Sequence, residues 1–448
     1  YCGTTHMIPD PPPGYNLSQV QIVIRHGARS PIPFVAGCFG TAAQPGAYWS
    51  CPVSTLEETT LEDEVTSVSD VSRLYRNVFL PNVELLPGNC SSAHLLEAGY
   101  LLQVGNGERL HSAYVGPGKL FESGELPTQE ELFFQSSYDQ RTQASGRAVL
   151  DNMFPNRTTG TRVLDNYLIT DDADLLLGFQ CPRFYQMYKA KGSIWTFEDD
   201  KCSREGDAIE AVRMELSNAV GQDLDLATVF DCTMCTVCDG QPRTKGMTDP
   251  FVSKLLAAGA ERISCAYAQP DIYKRAGGQL LQQIGDKMQA RMAGGPLKMA
   301  LWSGHDLTLF PLLGCFGILE IRPDSWPFYA QLMSLELYNK GDDHFVRVVY
   351  NGTVMSLPAC GQEMCPMDKF MAIVVDSIPT AEMCAKTATP PSPSPPPPGH
   401  TSHPDKDKVI GLSVGLAIAG VWALVATAVA VRRGAAKSSI NEHLLTSS

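Results

Sequence analysis

Three apolar runs, far apart in the chain, each break off into charged and polar residues. That recurrence constrains the fold more than any other feature. In VQIVIRHGARSP, Ile22, Val23 and Ile24 give way to Arg25, His26, Gly27, Ala28 and Arg29. In LFFQSSYDQRTQASGRAVLDNMF, Leu132 to Phe134 precede Arg141 and a helix-like stretch. In KMALWSGHDLTLFPLLGCFG, Met299 to Trp302 precede Gly304, His305 and Asp306. Each reads as strand, polar loop, then helix. In open parallel α/β sheets, sites gather beyond the carboxyl ends of the strands, so three distant strand ends can meet in space.

The chain has 448 residues, enough for one large core or two interleaved ones. Between about 156 and 295 the pattern turns helical, as in GDAIEAVRMELSNAV, and reads as an insertion covering the site. Near the end, FVRVVYNGTVMSL reads as a β-hairpin with Asn351-Gly352 at an exposed turn. The net charge of -13 argues against a broad nucleic-acid surface.

All 14 cysteines lie between Cys2 and Cys384, together with four Asn-X-Ser/Thr sequons at Asn16, Asn89, Asn156 and Asn351. The joint pattern predicts an oxidising lumenal or extracellular compartment. Cys232, Cys235 and Cys238 lack a fourth ligand at finger-like spacing, so disulfides are expected there and no metal. Residues 409–431 carry no charge, and at helical rise they reach about 35 Å, enough to cross a bilayer. Arg432, Arg433 and Lys437 follow, which predicts a type I orientation with the C-terminus in the cytosol. The Pro-rich segment 387–408 reads as an extended stalk, and 432–448 as a short tail. Leu444-Leu445 in that tail is either a sorting signal or a leucine pair without meaning.

The chemistry of the first run is that of an anion site around a nucleophile. Arginine offers a planar fork that matches phosphate oxygens. A neutral imidazole can attack phosphorus, and flanking guanidiniums offset charge on the equatorial oxygens. Arg25 and Arg29 should also lower the pKa of His26 and keep it neutral in acid. Gly27 is expected to let the backbone turn tightly beside the histidine. Taken singly, each motif has an ordinary reading: a surface Arg-His pair, a surface Arg141, an Asp that starts a helix.

Together, RHGARSP (25–31), YDQRTQASGRAVLDNMFP (138–155) and GHD (304–306) resemble the histidine acid phosphatases, branch 2 of the histidine phosphatase superfamily. HLLEAGYLLQVGNGERL (94–110), CPRFYQMY (181–188) and LPACGQEMCPMDKF (357–370) strengthen that resemblance, which covers most of residues 17 to 385. It implies an α/β fold of the phosphoglycerate-mutase type. A mostly parallel central sheet is flanked by helices, with a smaller helical cap domain. The core would span about 15–155 plus 296–386 and the cap about 156–295, all within an ectodomain 1–386. It implies that His26 is the nucleophile and Asp306 the proton donor, with Arg25, Arg29, Arg141 and His305 holding the phosphate, and no metal or other cofactor. The disulfide connectivity stays open, and the resemblance favours Cys360–Cys365 and Cys181–Cys384.

The leading expectation is an acid phosphatase acting on small phosphate esters or phosphoproteins, anchored by one C-terminal helix in the endosomal-lysosomal system or at the cell surface. An inositol-polyphosphate phosphatase on the same scaffold is the alternative within enzymes. An inactive surface receptor or adhesin is the alternative outside them, although it would not need His26, Asp306 and three arginines together. Oligomeric state is left open, a homodimer included.

Overall fold

A computed structural model describes residues 2–3, 6–32, 38, 46–51, 86–156, 167–169, 173–190 and 201–386. The chain divides into Tyr1–Thr387 and Ala388–Ser448. The second unit lies wholly outside the described residues, and with it the apolar run 409–431 and Leu444-Leu445. Among the described residues no helix is long and apolar enough to cross a membrane.

The first unit begins with β1 (Asn16–Arg25), α1 (Glu97–Tyr114), β2 (Leu132–Ser137), α2 (Gln140–Met153) and β3 (Tyr167–Ile169). Five helices follow: α3 (Pro182–Ala190), α4 (Ser203–Val220), α5 (Leu226–Cys238), α6 (Asp249–Tyr267) and α7 (Pro270–Met292). The chain then returns through β4 (Met299–Gly304), α8 (Asp306–Cys315), β5 (Leu332–Lys340), β6 (Asp343–Tyr350), β7 (Thr353–Met355) and β8 (Met364–Pro366). It closes with α9 (Met367–Ser377) and α10 (Ala381–Cys384).

All eight strands form one sheet, ordered β3-β2-β4-β1-β5-β6-β7, with β8 also on β6. The β3-β2-β4-β1 half is parallel, and β5 to β8 add an antiparallel half. The mixed α/β fold with flanking helices is therefore the one expected. Strand alternation sorts the core into two layers. Val20, Ile22 and Ile24 pack with Leu110 and Tyr114 of α1 and Val149 and Met153 of α2. Val23 and Trp302 point the other way, among Leu281 and Ile284 of α7 and Leu309 of α8. The helical segment has its own core, in which Phe230 and Phe251 pack with Phe310 and Trp326.

The hairpin forms as expected, with Tyr350 paired to Thr353 across Asn351-Gly352. Both turn residues have positive φ, 52° and 71°. The turn is less open than expected. Asn351 is half-buried and accepts a hydrogen bond from Gln331, and a Cβ on Gly352 would lie 2.5 Å from His6 Cβ. The N-terminal segment packs over it.

Six disulfides form: Cys2–Cys238, Cys38–Cys232, Cys51–Cys90, Cys181–Cys384, Cys202–Cys265 and Cys360–Cys365. Both favoured pairings are among them. The expectation for the cysteine trio of α5 fails at its middle member. Cys232 and Cys238 are bridged, whereas Cys235 is free and buried. Steps of three along a helix turn successive side chains in different directions. The outer two meet Cys38 and Cys2, while Cys235 faces Arg29 and Tyr329.

Candidate functional site

The three strand ends expected to meet do so. In the parallel register Arg25 lies opposite Gly304, and Ser303 opposite Ser136. The His26 amide donates to Gly304 O at 2.9 Å, which joins the ends of β1 and β4. Gly27 is needed for close approach. A Cβ there would fall 2.2 Å from Gly99 O on α1, and one on Gly99 2.1 Å from Ala28 O. No left-handed turn is involved, so the expected role of Gly27 in a tight turn gives way to packing against α1. The Gly27 amide donates to Ser145 Oγ of α2 at 3.1 Å, so both helices fix this loop.

His26 is buried, with its ring centroid 5.5 Å from that of His305. Its Nδ1 lies 2.8 Å from Gly27 O. A carbonyl only accepts, so Nδ1 carries the proton in this contact and Nε2 keeps its lone pair. Burial lowers the pKa of His26 well below the ordinary value, and Arg141, Arg25, His305 and Arg29 push it the same way. Both causes disfavour the charged imidazolium.

Each arginine of the cluster has a carboxylate partner. Arg25 Nη2 lies 2.9 Å from Asp306 Oδ2, while its Nη1 donates to Pro327 O and its guanidinium sits 4.2 Å over the Tyr329 ring. Arg29 Nη2 lies 2.5 Å from Asp231 Oδ1, and Arg141 Nη2 lies 3.0 Å from Asp139 Oδ2. Yet Arg29 Nε, Arg141 Nε and His305 Nε2 are buried without a hydrogen-bond partner among the described residues. His305 Nε2 is 3.5 Å from Asp139 Oδ2, with no hydrogen bond between them. Three buried nitrogens of this kind in the cluster around the His26 imidazole are suited to an anion.

Asp306 opens α8, and Oδ2 also accepts from Trp326 Nε1 at 3.0 Å. The indole is held between Phe230 of α5, stacked at 4.4 Å, and Phe310 of α8, edge-on at 5.5 Å. All six residues expected at the site are therefore in one cluster. Sequence reasoning missed Asp139, Asp231, Trp326 and Tyr329. Asp139 sits two residues before Arg141 in a quoted motif. The others carry no local signal. Among the described residues one set of metal-ligating groups comes together, Cys202, Glu205 and Cys265, and its cysteines form a disulfide.

The α/β sheet thus gathers buried histidines and arginines beyond the ends of its parallel strands. Residues 16–233 match the family model of the histidine phosphatase superfamily (branch 2). Counting factor 60 of Dictyostelium discoideum is 26% identical over 382 residues, covering 81% of this chain and 87% of that protein. 2-Phosphoxylose phosphatase 1 of Xenopus tropicalis is 25% identical over 402 residues, covering 81% of this chain and 75% of that one. A phytase of Hafnia alvei superposes with a TM-score of 0.53 at 16% identity, over 84% of this chain and 99% of its own, which shows the shared fold.

Proposed function

We propose that the chain is an acid phosphatase that hydrolyses phosphate monoesters through a phosphohistidine on His26. The observation that carries this reading is the commitment of His26 Nδ1 to Gly27 O beside three buried, unpartnered nitrogens. In the first step His26 Nε2 attacks phosphorus and the bond to the ester oxygen breaks. Asp306 gives its proton to the departing alcohol oxygen. In the second step water attacks the phosphohistidine, Asp306 takes a proton from it, and inorganic phosphate leaves with His26 neutral again. Arg29, Arg141 and His305 offset the charge on the transferring phosphoryl oxygens, and Arg25 both contributes charge and holds Asp306 in line.

Because each arginine already carries a carboxylate, the reading favours one phosphoryl group over a polyphosphate, whose further charges would want further cations. We further propose that the first unit faces a lumenal or extracellular space and that residues 409–431 anchor it. Six disulfides support the compartment, and the uncharged run followed by Arg432 and Arg433 supports the anchor. The test is hydrolysis of p-nitrophenyl phosphate across pH. The expected result is an acidic optimum, activity intact in EDTA, and a loss on the order of 10⁵-fold in kcat for His26→Ala. An optimum above neutrality, or loss in EDTA restored by a divalent ion, contradicts the proposal.

A further inference from the structure

Arg29 joins two parts of the first unit. Its backbone belongs to the loop leaving β1, and its guanidinium reaches α5 in the helical segment. Nη2 donates to Asp231 Oδ1 at 2.5 Å, and Nη1 donates to Ser30 O at 3.1 Å and Cys235 Sγ at 3.5 Å. The second oxygen of Asp231, Oδ2, accepts from the Ile32 amide at 2.7 Å. One carboxylate thus grips both the side chain of Arg29 and the backbone three residues on. The next residue, Cys232, is bridged to Cys38, so a covalent tie holds α5 to the same stretch of chain. These contacts use three of the five guanidinium N–H donors, and the buried Nε, which has no hydrogen-bond partner among the described residues, is available to an anion.

We infer that Asp231 is a positioning residue for phosphate: it turns the guanidinium of Arg29 so that Nε faces the site. The inference rests on the phosphate reading given above. Two effects of Asp231 oppose each other. Its negative charge repels a phosphate, but Arg29 already neutralises that charge at 2.5 Å. Without it, a long side chain with many rotamers is freed, and the loop loses its Ile32 tether. Orientation outweighs repulsion.

The test is a double-mutant cycle on the full-length chain, with the inhibition constant of inorganic phosphate as readout. Asp231→Asn should raise that constant about tenfold, the scale of a lost hydrogen bond to a charged group. The ratio of aryl to alkyl ester turnover should not change. Asp231→Glu, which keeps the charge, should give a smaller rise, and it serves as the test variant if the Asn protein does not fold. In an Arg29→Met background Asp231→Asn should change the constant by less than about twofold. A purely structural Asp231 would lower Tm and leave phosphate inhibition of the active fraction unchanged. That result, tighter inhibition, or equal effects in both backgrounds overturns the inference. A wild-type chain that neither hydrolyses monoesters nor responds to phosphate would defeat the site reading itself, and the inference with it.

Discussion

Two clusters among the described residues pair buried arginines with carboxylates, and they differ in what they leave open. On β5 and β6, Arg347 uses every nitrogen: Nε on Glu336, Nη1 on Asp10 O at 2.7 Å and Nη2 on Pro9 O at 2.9 Å. Glu336 is equally filled, accepting from Tyr114 at 2.6 Å and Tyr338 at 3.0 Å. At the strand ends, Arg29 and Arg141 set their terminal nitrogens on protein, and their Nε atoms have no hydrogen-bond partner among the described residues. Burial and ion pairing are common to both clusters, so neither marks function by itself. Unused hydrogen-bonding capacity beside the proposed nucleophile is the difference on which the proposed function rests. The closed cluster fastens the N-terminal segment to the sheet, and the open one is where the proposed function puts an anion.

The largest effect that separates the clusters is chemical. Asp306→Asn keeps acceptors for Trp326 and Arg25 but cannot donate the proton. Single-turnover phosphorylation should slow by about 10²–10⁴-fold for an alkyl phosphate and far less for p-nitrophenyl phosphate, whose leaving oxide needs little protonation. Equal losses for the two esters would remove Asp306 from the role of leaving-group acid.

Next comes stability. Glu336→Ala strands the Arg347 charge, and urea unfolding should show a loss of about 3–5 kcal/mol. KM and phosphate inhibition per folded molecule should stay as in the wild type. Arg141→Ala should do the reverse, weakening phosphate inhibition by about 10²-fold with a smaller cost in stability. If Glu336→Ala weakens phosphate inhibition as much, the division between closed and open clusters collapses.

The smallest expected effect is on titration. After burial, Arg141 is the leading cause of the lowered His26 pKa. Its removal should raise that pKa, so the neutral nucleophile is lost at a higher pH on the acid side. The imidazole titration of His26, followed by NMR in the free Arg141→Ala protein, should shift upward. No shift would mean that Arg141 has no part in setting the value, which would leave burial and the other neighbouring charges.

What could be read from the sequence was what a few adjacent residues determine. RHGAR and GHD stand at the ends of apolar runs, and a strand that ends in charged residues announces itself. The Asn351-Gly352 turn is likewise local chemistry. Contacts fixed by topology could not be read. Asp231 meets Arg29 across 202 positions, and nothing around it in α5 signals a partner. Trp326 reaches Asp306 from a loop without a motif, and Cys235 differs from its bridged neighbours only in the direction it faces. Gly27 was visible as a special residue, but its reason, the approach of Gly99 on α1, required the packed helix.

The account rests on a covalent phosphoryl group at His26. Rapid-quench reaction of the full-length chain with a ³²P-labelled monoester, followed by peptide mapping, tests it directly. The expected result is a label that forms at the rate of the burst, survives alkali, is lost in acid, maps to the peptide containing His26 and is absent from His26→Ala. Product formed in a single turnover with no label on His26 at any quench time would contradict it.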